Sequence, residues 1–166
     1  MSLFNAKKIS TSIVTYFGIG YLKPAPGTWG TLFTIPLWYF LSQLGPVVYM
    51  AVTFLLIVVA IAACEIYEKH IEGHDHSHVV IDEVVGYLIT MTWLPFTWQA
   101  CVLGFFLFRI LDIAKPFPIG YLDRKVGGGF GVVVDDLVAG AIANIVLQLV
   151  YTNTSWLGSQ IMVISQ

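Results

Sequence analysis

HDHSHVVIDEVVG, residues 74–86, places two adjacent carboxylates, Asp82 and Glu83, at the mouth of an apolar run, 84–94. VVVDDLVAG, residues 132–140, repeats the arrangement, with Asp135 and Asp136 leading toward the apolar run 139–150. In each stretch three β-branched residues precede the acidic pair and a glycine follows it. Asp82 and Gly86, like Asp136 and Gly140, stand at i and i+4. On a helix each glycine would therefore sit one turn beyond a carboxylate, on the same face. A carboxylate at an apolar helix end is costly unless positive charge meets it. Two such pairs can share one cation, and this expectation organises the reading of the remaining chain.

The 166 residues suggest a single domain, 1–166. Apolar residues make up 57%, charged residues 11%, and the mean hydropathy is +0.80. A soluble domain carries roughly 25% charged residues, so this balance points to a membrane protein. The net charge of −2 gives no nucleic-acid signal. Cys64 and Cys101 stand in apolar runs without CxxC spacing and read as buried small hydrophobes. No cleavable signal peptide is expected: the apolar stretch 13–22 is preceded by polar residues and followed by Lys23-Pro24.

Apolar segments follow one another along the chain. Residues 9–22 suit an interfacial or re-entrant helix. KPAPGTWGT, 23–31, reads as turn chemistry. Residues 32–44 are apolar but contain Pro36, and 47–64 form the clearest span. Segments 81–94, 98–113 and 132–151 follow, with a polar, glycine-rich loop predicted over 114–131. The expected fold is all-α: a compact helical membrane protein with about four to five hydrophobic helices.

With turns at Gly45-Pro46 and 95–97, all eight Lys and Arg, and every acid, fall on one side. The positive-inside rule makes that side cytoplasmic. Trp38, Trp93, Trp98 and Trp156 then lie near the opposite ends, as interfacial belts would. A site built from these acids belongs at the cytoplasmic membrane interface.

Asp82, Glu83, Asp135 and Asp136 offer the hard oxygen ligands that Mg²⁺ takes together with water and phosphate. Acids at helix N-termini are also favourable without any metal, but two similar pairs leading into apolar helices favour a cation. RILDIAK, 109–115, sets Arg109, Asp112 and Lys115 three apart on one helix face. This is either an interfacial ion-pair ladder or a phosphate-binding face. In the second case Asp112 orients a cation or holds metal, and Arg109 and Lys115 contact phosphate. Thr28 either caps a helix or donates to phosphate. The glycines at 127–129 and 131 deliver the chain to Asp135-Asp136 and let backbone approach an anion. His74, His76 and His78 alternate, yet hard oxygens dominate around them. His74 and His76 are therefore read as supporting groups for phosphate contact or proton transfer rather than zinc ligands.

PAPGTWGTL, HDHSHVVIDEVVG and FRILDIAKPFPIGYLDRKVGGGFGVVVDDLVAG, in that order, together resemble the phosphatidylglycerophosphatase A family over roughly residues 18–140. The resemblance implies an all-helical, Mg²⁺-dependent, multi-pass enzyme of the bacterial cytoplasmic (inner) membrane. It further implies phosphatidylglycerophosphate as substrate, with phosphatidylglycerol and phosphate as products. Asp82, Glu83, Asp135 and Asp136 would then hold the metal, and Arg109, Lys115 and Arg124 would neutralise phosphate oxygens. The family often has tryptophan where Phe117 stands, a change tolerable at an apolar interface. Oligomeric state is not indicated. Three rival readings fit less well: a CDP-alcohol phosphatidyltransferase, whose DGxxAR run is missing here; a small membrane ion carrier, whose acids belong at mid-bilayer; and a purely structural membrane protein, for which so many interfacial acids would be expensive.

Overall fold

Gly45-Pro46 opens the longest uninterrupted apolar stretch. Gly45 adopts φ 83, and Pro46 takes the first helical position, where its missing N–H is no loss. The resulting helix α3 (Pro46–Glu68) has 23 residues and rises about 35 Å, enough for a hydrocarbon core of about 30 Å. This computed structural model describes residues 3–69 and 77–158, which are helical throughout apart from turns and connections. The other helices are α1 (Leu3–Val14), α2 (Pro26–Ser42), α4 (Ile81–Thr90), α5 (Trp98–Ala114), α6 (Ile119–Lys125) and α7 (Gly128–Asn153).

Only α3 and α7 among the described residues are long and apolar enough to cross a membrane. Just 28% of the most apolar window of α3 is buried. A helix of this composition inside a soluble core would be mostly covered, whereas Phe54 and Leu55 are 69% and 60% exposed. Of the four to five hydrophobic helices expected, two thus have crossing dimensions; α2 and α5 have 17 residues each.

Helix α4 is different. It has ten residues, about 15 Å, and packs against α2, α3, α5 and α7. Val84, Val85, Tyr87 and Leu88 are fully buried. The carbonyls at such an end need partners, and neighbouring helices supply them. Asn144 Nδ2 donates to the carbonyls of Thr90 (2.9 Å) and Thr92 (2.8 Å), and Gln148 Nε2 donates to Thr92 (3.0 Å). The Tyr49 hydroxyl donates to the Leu88 carbonyl.

Helices α4 and α7 touch backbone to backbone. A Cβ on Gly140 would stand 2.3 Å from the Gly86 carbonyl oxygen, and one on Gly86 would stand 2.9 Å from the Asp136 oxygen. Helices α3 and α7 meet in the same manner, since a Cβ on Gly129 would lie 2.3 Å from the Glu65 nitrogen. Glu65 Oε2 also accepts the Gly129 N–H at 2.8 Å, capping the start of α7.

Several sequence expectations change. The predicted loop 114–131 contains α6, and α7 starts at Gly128. The glycine run is therefore largely helical, its small size spent on packing against α3. Asp135 and Asp136 consequently lie about two turns inside α7, not at its mouth, while Asp82 and Glu83 do occupy the first turn of α4. The turn expected at 23–31 is half helix, because Pro26 begins α2, and Pro36 lies within that helix without ending it. Trp38 is fully buried rather than part of an interfacial belt; Trp93, Trp98 and Trp156 are exposed.

The glycine contact sets a test. Gly140→Ala should destabilise the protein by about 1–3 kcal/mol, an overpacking penalty. Gly127→Ala, where a Cβ meets nothing within 4 Å and φ is −109, should cost under about 1 kcal/mol, the loss of a glycine at a helix N-cap. Thermal unfolding in detergent compares the two.

Candidate active site

Because Gly86 and Gly140 let their helices touch, the carboxylates one turn before them also meet. Ligand oxygens of Asp82, Glu83 and Asp136 all lie within 4.8 Å of one another. The Asp82 carboxylate accepts the Glu83 N–H at 3.1 Å. Asp136 is 3% exposed. Arg109, from α5, donates through Nη1 to Glu83 Oε1 at 3.3 Å and to Asp112 Oδ2 at 2.5 Å. The side chains of Glu83 and Arg109 are 13% and 12% exposed.

One residue above this pair has no side chain for a steric reason. A Cβ on Gly27 would fall 1.8 Å from Glu83 Oε1 and 3.1 Å from Arg109 Nη1. The first turn of α2 thus lies directly on the Glu83–Arg109 pair. Glu83 Oε2 and Arg109 Nε are buried without a hydrogen-bond partner among the described residues.

Burial raises the Asp82 carboxyl above its ordinary range. Burial and the adjacent Asp82 charge do the same to Glu83, against the pull of Arg109. Three carboxylates here face a single guanidinium already shared with a fourth. Such a donor set suits a hard divalent cation: all ligands are oxygens, one is an orphan, and an opposing charge reverses the proton preference of the site.

Beside this cluster lies a second one. Lys115 caps α5 in the left-handed region, φ 42. Its Nζ donates to Asp135 Oδ2 at 2.6 Å and to Asp123 Oδ1 at 2.5 Å, tying α6 to α7. Burial lowers the Lys115 ammonium, but the bonds and charges of Asp123 and Asp135 outweigh it and leave the group raised. A polar cavity of about 300 Å³ joins the two centres; Asp82, Lys115, Asp123, Asp135 and Gly127–Gly128 are on its wall.

Of the acids read from the sequence, then, Asp82, Glu83 and Asp136 come together. Asp135 turns to Lys115, since consecutive helical positions point about 100° apart. Asp112 pairs with Arg109. Thr28 is half-buried in a groove with Arg109, and Arg124 is exposed on α6. His74 and His76 lie outside the described residues; His78 contacts the Gly20 carbonyl through Nδ1. Sequence reasoning missed Gly27, Asp123 and Glu65. Gly27 left a trace, a glycine immediately after the helix-opening Pro26. Asp123 stood in an ordinary charged run and Glu65 in a polar segment, neither with a distinctive signal.

The sequence model of the family Phosphatidylglycerophosphatase A matches residues 12–151. A protein of that name from Escherichia coli K12 is 43% identical over 128 residues, covering 76% of this chain and 74% of that protein. One of the same name from Haemophilus influenzae is 41% identical over 133 residues, 79% of this chain and 82% of its own. A Bacteroides thetaiotaomicron protein, provisionally named phosphatidylinositol-3-phosphatase, is 35% identical over 143 residues, 81% and 89%. No solved structure matches significantly.

The lysine clamp is asymmetric, and stability measurements should show it. Lys115→Met leaves the buried Asp135 without a counter-charge and should cost about 2–3 kcal/mol, the buried-pair figure discounted for a lysine side chain one-third exposed. Asp123→Asn, at a side chain 42% exposed, should cost under about 1 kcal/mol. Chemical denaturation in mixed micelles resolves the difference.

Proposed function

The chain belongs to the phosphatidylglycerophosphatase A family, and we propose that Asp82, Glu83 and Asp136 are the heart of a Mg²⁺-dependent site that hydrolyses the phosphomonoester of phosphatidylglycerophosphate. The protein is a phosphatase by that kinship. The carrying observation for the site is the convergence of three carboxylates within 4.8 Å beside a largely buried arginine, with one of the three, Asp82, on the wall of a polar cavity. An ion carrier would need its acids along a path through the bilayer; these are drawn together where the first turn of α4 meets α7.

The substrate's terminal phosphate enters the cavity that Asp82 and Lys115 line. A Mg²⁺ held by Asp82, Glu83 and Asp136 would supply positive charge to the phosphoryl oxygens and lower the pKa of a bound water. Arg109, positioned by Asp112, and Lys115, positioned by Asp123 and Asp135, neutralise oxygens as charge develops during transfer. Asp135 thus acts through Lys115 and Asp112 through Arg109. A water oxygen bonds to phosphorus as the bond from phosphorus to the glycerol oxygen breaks. A cluster carboxylate takes the water's proton, and the departing oxygen gains one from solvent or from His76. Arg124 on α6 and Thr28 on the α2 side are proposed phosphate contacts, and the sequence alone proposes His74 for the same role.

The membrane setting fits the same reading. Contacts of Gly27 with Glu83, of Arg109 with Glu83 and of Gly129 with Glu65 gather the N-terminal ends of α2, α4 and α7 and the C-terminal ends of α3 and α5 at one end of the bundle. All eight Lys and Arg lie in or beside those ends or in α1 and α6. The positive-inside rule supports placing this end at the cytoplasmic face of the inner membrane, in a multi-pass arrangement.

In detergent with Mg²⁺, the wild-type protein should release phosphate from phosphatidylglycerophosphate. Asp82→Asn and Asp136→Asn should each lower kcat at least about 100-fold and weaken Mn²⁺ binding, followed by electron paramagnetic resonance. Asp135→Asn should affect Mn²⁺ binding far less. Near-normal rates from both of the first two variants would remove the site.

A further inference from the structure

The geometry points to the groove between the first turn of α2 and the outer face of α5 as the seat of an acyl chain of the lipid substrate. This rests on the active-site reading above and extends it from the phosphate to the lipid's other end. The groove holds about 440 Å³ and is lined by Thr28, Phe105, Phe106, Ile110 and Ile113, with Arg109 its one charged wall. Phe106, Ile110 and Ile113 stand at i, i+4 and i+7, an apolar stripe along one helix face, and Arg109 falls among them. These three are 58%, 60% and 70% exposed. The arginine's stem lines the groove while its Nη1 turns inward to Glu83 and Asp112.

Continuity with the acid cluster singles out this groove from the rest of the apolar surface. Helix α3 also exposes Phe54 and Leu55, but they stand ten residues or more, about 15 Å, along that helix from Glu65, its first acid. On α5 the apolar stripe carries the residue that touches Glu83, and Asp82, the next residue, borders the polar cavity. A phosphate-bearing amphiphile requires that sequence of surfaces: a polar chamber, then a guanidinium, then an apolar track open to the bilayer. The acyl chain therefore leaves the site sideways past Arg109, with Thr28 of α2 forming the far wall. Chain recognition on this track makes long-chain lipid a better substrate than a short-chain analogue.

The test uses the full-length protein in mixed micelles. The readout is the ratio of kcat/KM for dioleoyl phosphatidylglycerophosphate to that for the dibutyryl analogue. Ile110→Trp and Ile113→Trp fill the track and should lower the ratio about fivefold or more, mainly through KM for the long-chain lipid. Ile110→Ala, which blocks nothing, should lower it in the same direction to a smaller extent. Phe54→Trp on α3 should leave it unchanged. An unaltered ratio in all three groove variants, or an equal fall with Phe54→Trp, would overturn the acyl seat while leaving the phosphatase site intact. Absence of phosphate release by the wild type from both lipids would instead remove the active-site reading beneath it.

Discussion

The contact between the bare backbones of Gly86 and Gly140 governs this structure. Any side chain at either position would push α4 and α7 apart, and the acids sit one turn away from that contact on both helices. Glycine is a poor helix residue, disfavoured by about 1 kcal/mol relative to alanine. Two of them inside apolar helices are tolerable when their absence of side chain brings something together. Here it brings together carboxylates that would otherwise repel, so packing energy holds an electrostatically unfavourable arrangement in place. The same logic operates between Gly129 and α3, and between Gly27 and the Glu83–Arg109 pair. Small residues at each helix crossing are how closely packed apolar helices approach where the hydrophobic effect between them is weak.

The charges then divide into two unequal groups. Arg109 sits between Glu83 and Asp112, and Lys115 between Asp123 and Asp135. Each cation spans two acids, so neither is available to neutralise Asp82 and Asp136. The planar guanidinium reaches a buried pair, for which its fork of donors is suited. The lysine serves buried Asp135 and exposed Asp123 as a point charge. What remains, Asp82, Asp136 and the second oxygen of Glu83, is an uncompensated negative pocket bordering a polar cavity.

This division also shows what the sequence could and could not express. The two Asp-to-Gly spacings are visible in one dimension, because a helical turn is a fixed interval. Their meaning, that both glycines belong to one crossing, became definite only when α4 met α7. The choice between Asp135 and Asp136 was not legible. Adjacent acids have the same chemistry, and only the rotation of α7 about its axis assigns one to Lys115 and the other to the cluster. The glycine-rich stretch misled for a related reason: glycine signals a turn and a close helix contact alike, and composition does not distinguish them. Pro26 was ambiguous too, since proline belongs both in turns and at the first position of a helix. The long apolar α3, by contrast, was plain from its length alone.

A short helix buried at one end of a membrane-type bundle solves a geometrical problem that a crossing helix would not. The ten residues of α4 cannot reach from face to face, so its C-terminus is closed by Asn144, Gln148 and Tyr49 within the protein. Its N-terminus, free of that requirement, delivers Asp82 and Glu83 to the end of the bundle where α5 and α7 present Arg109, Lys115 and Asp136. From that point polar walls lead toward Lys115, and apolar walls lead along α5. An amphiphile straddling water and hydrocarbon meets each half of this surface with the matching half of itself. The helix too short to cross therefore holds Asp82 and Glu83 at the point where the polar and apolar surfaces join.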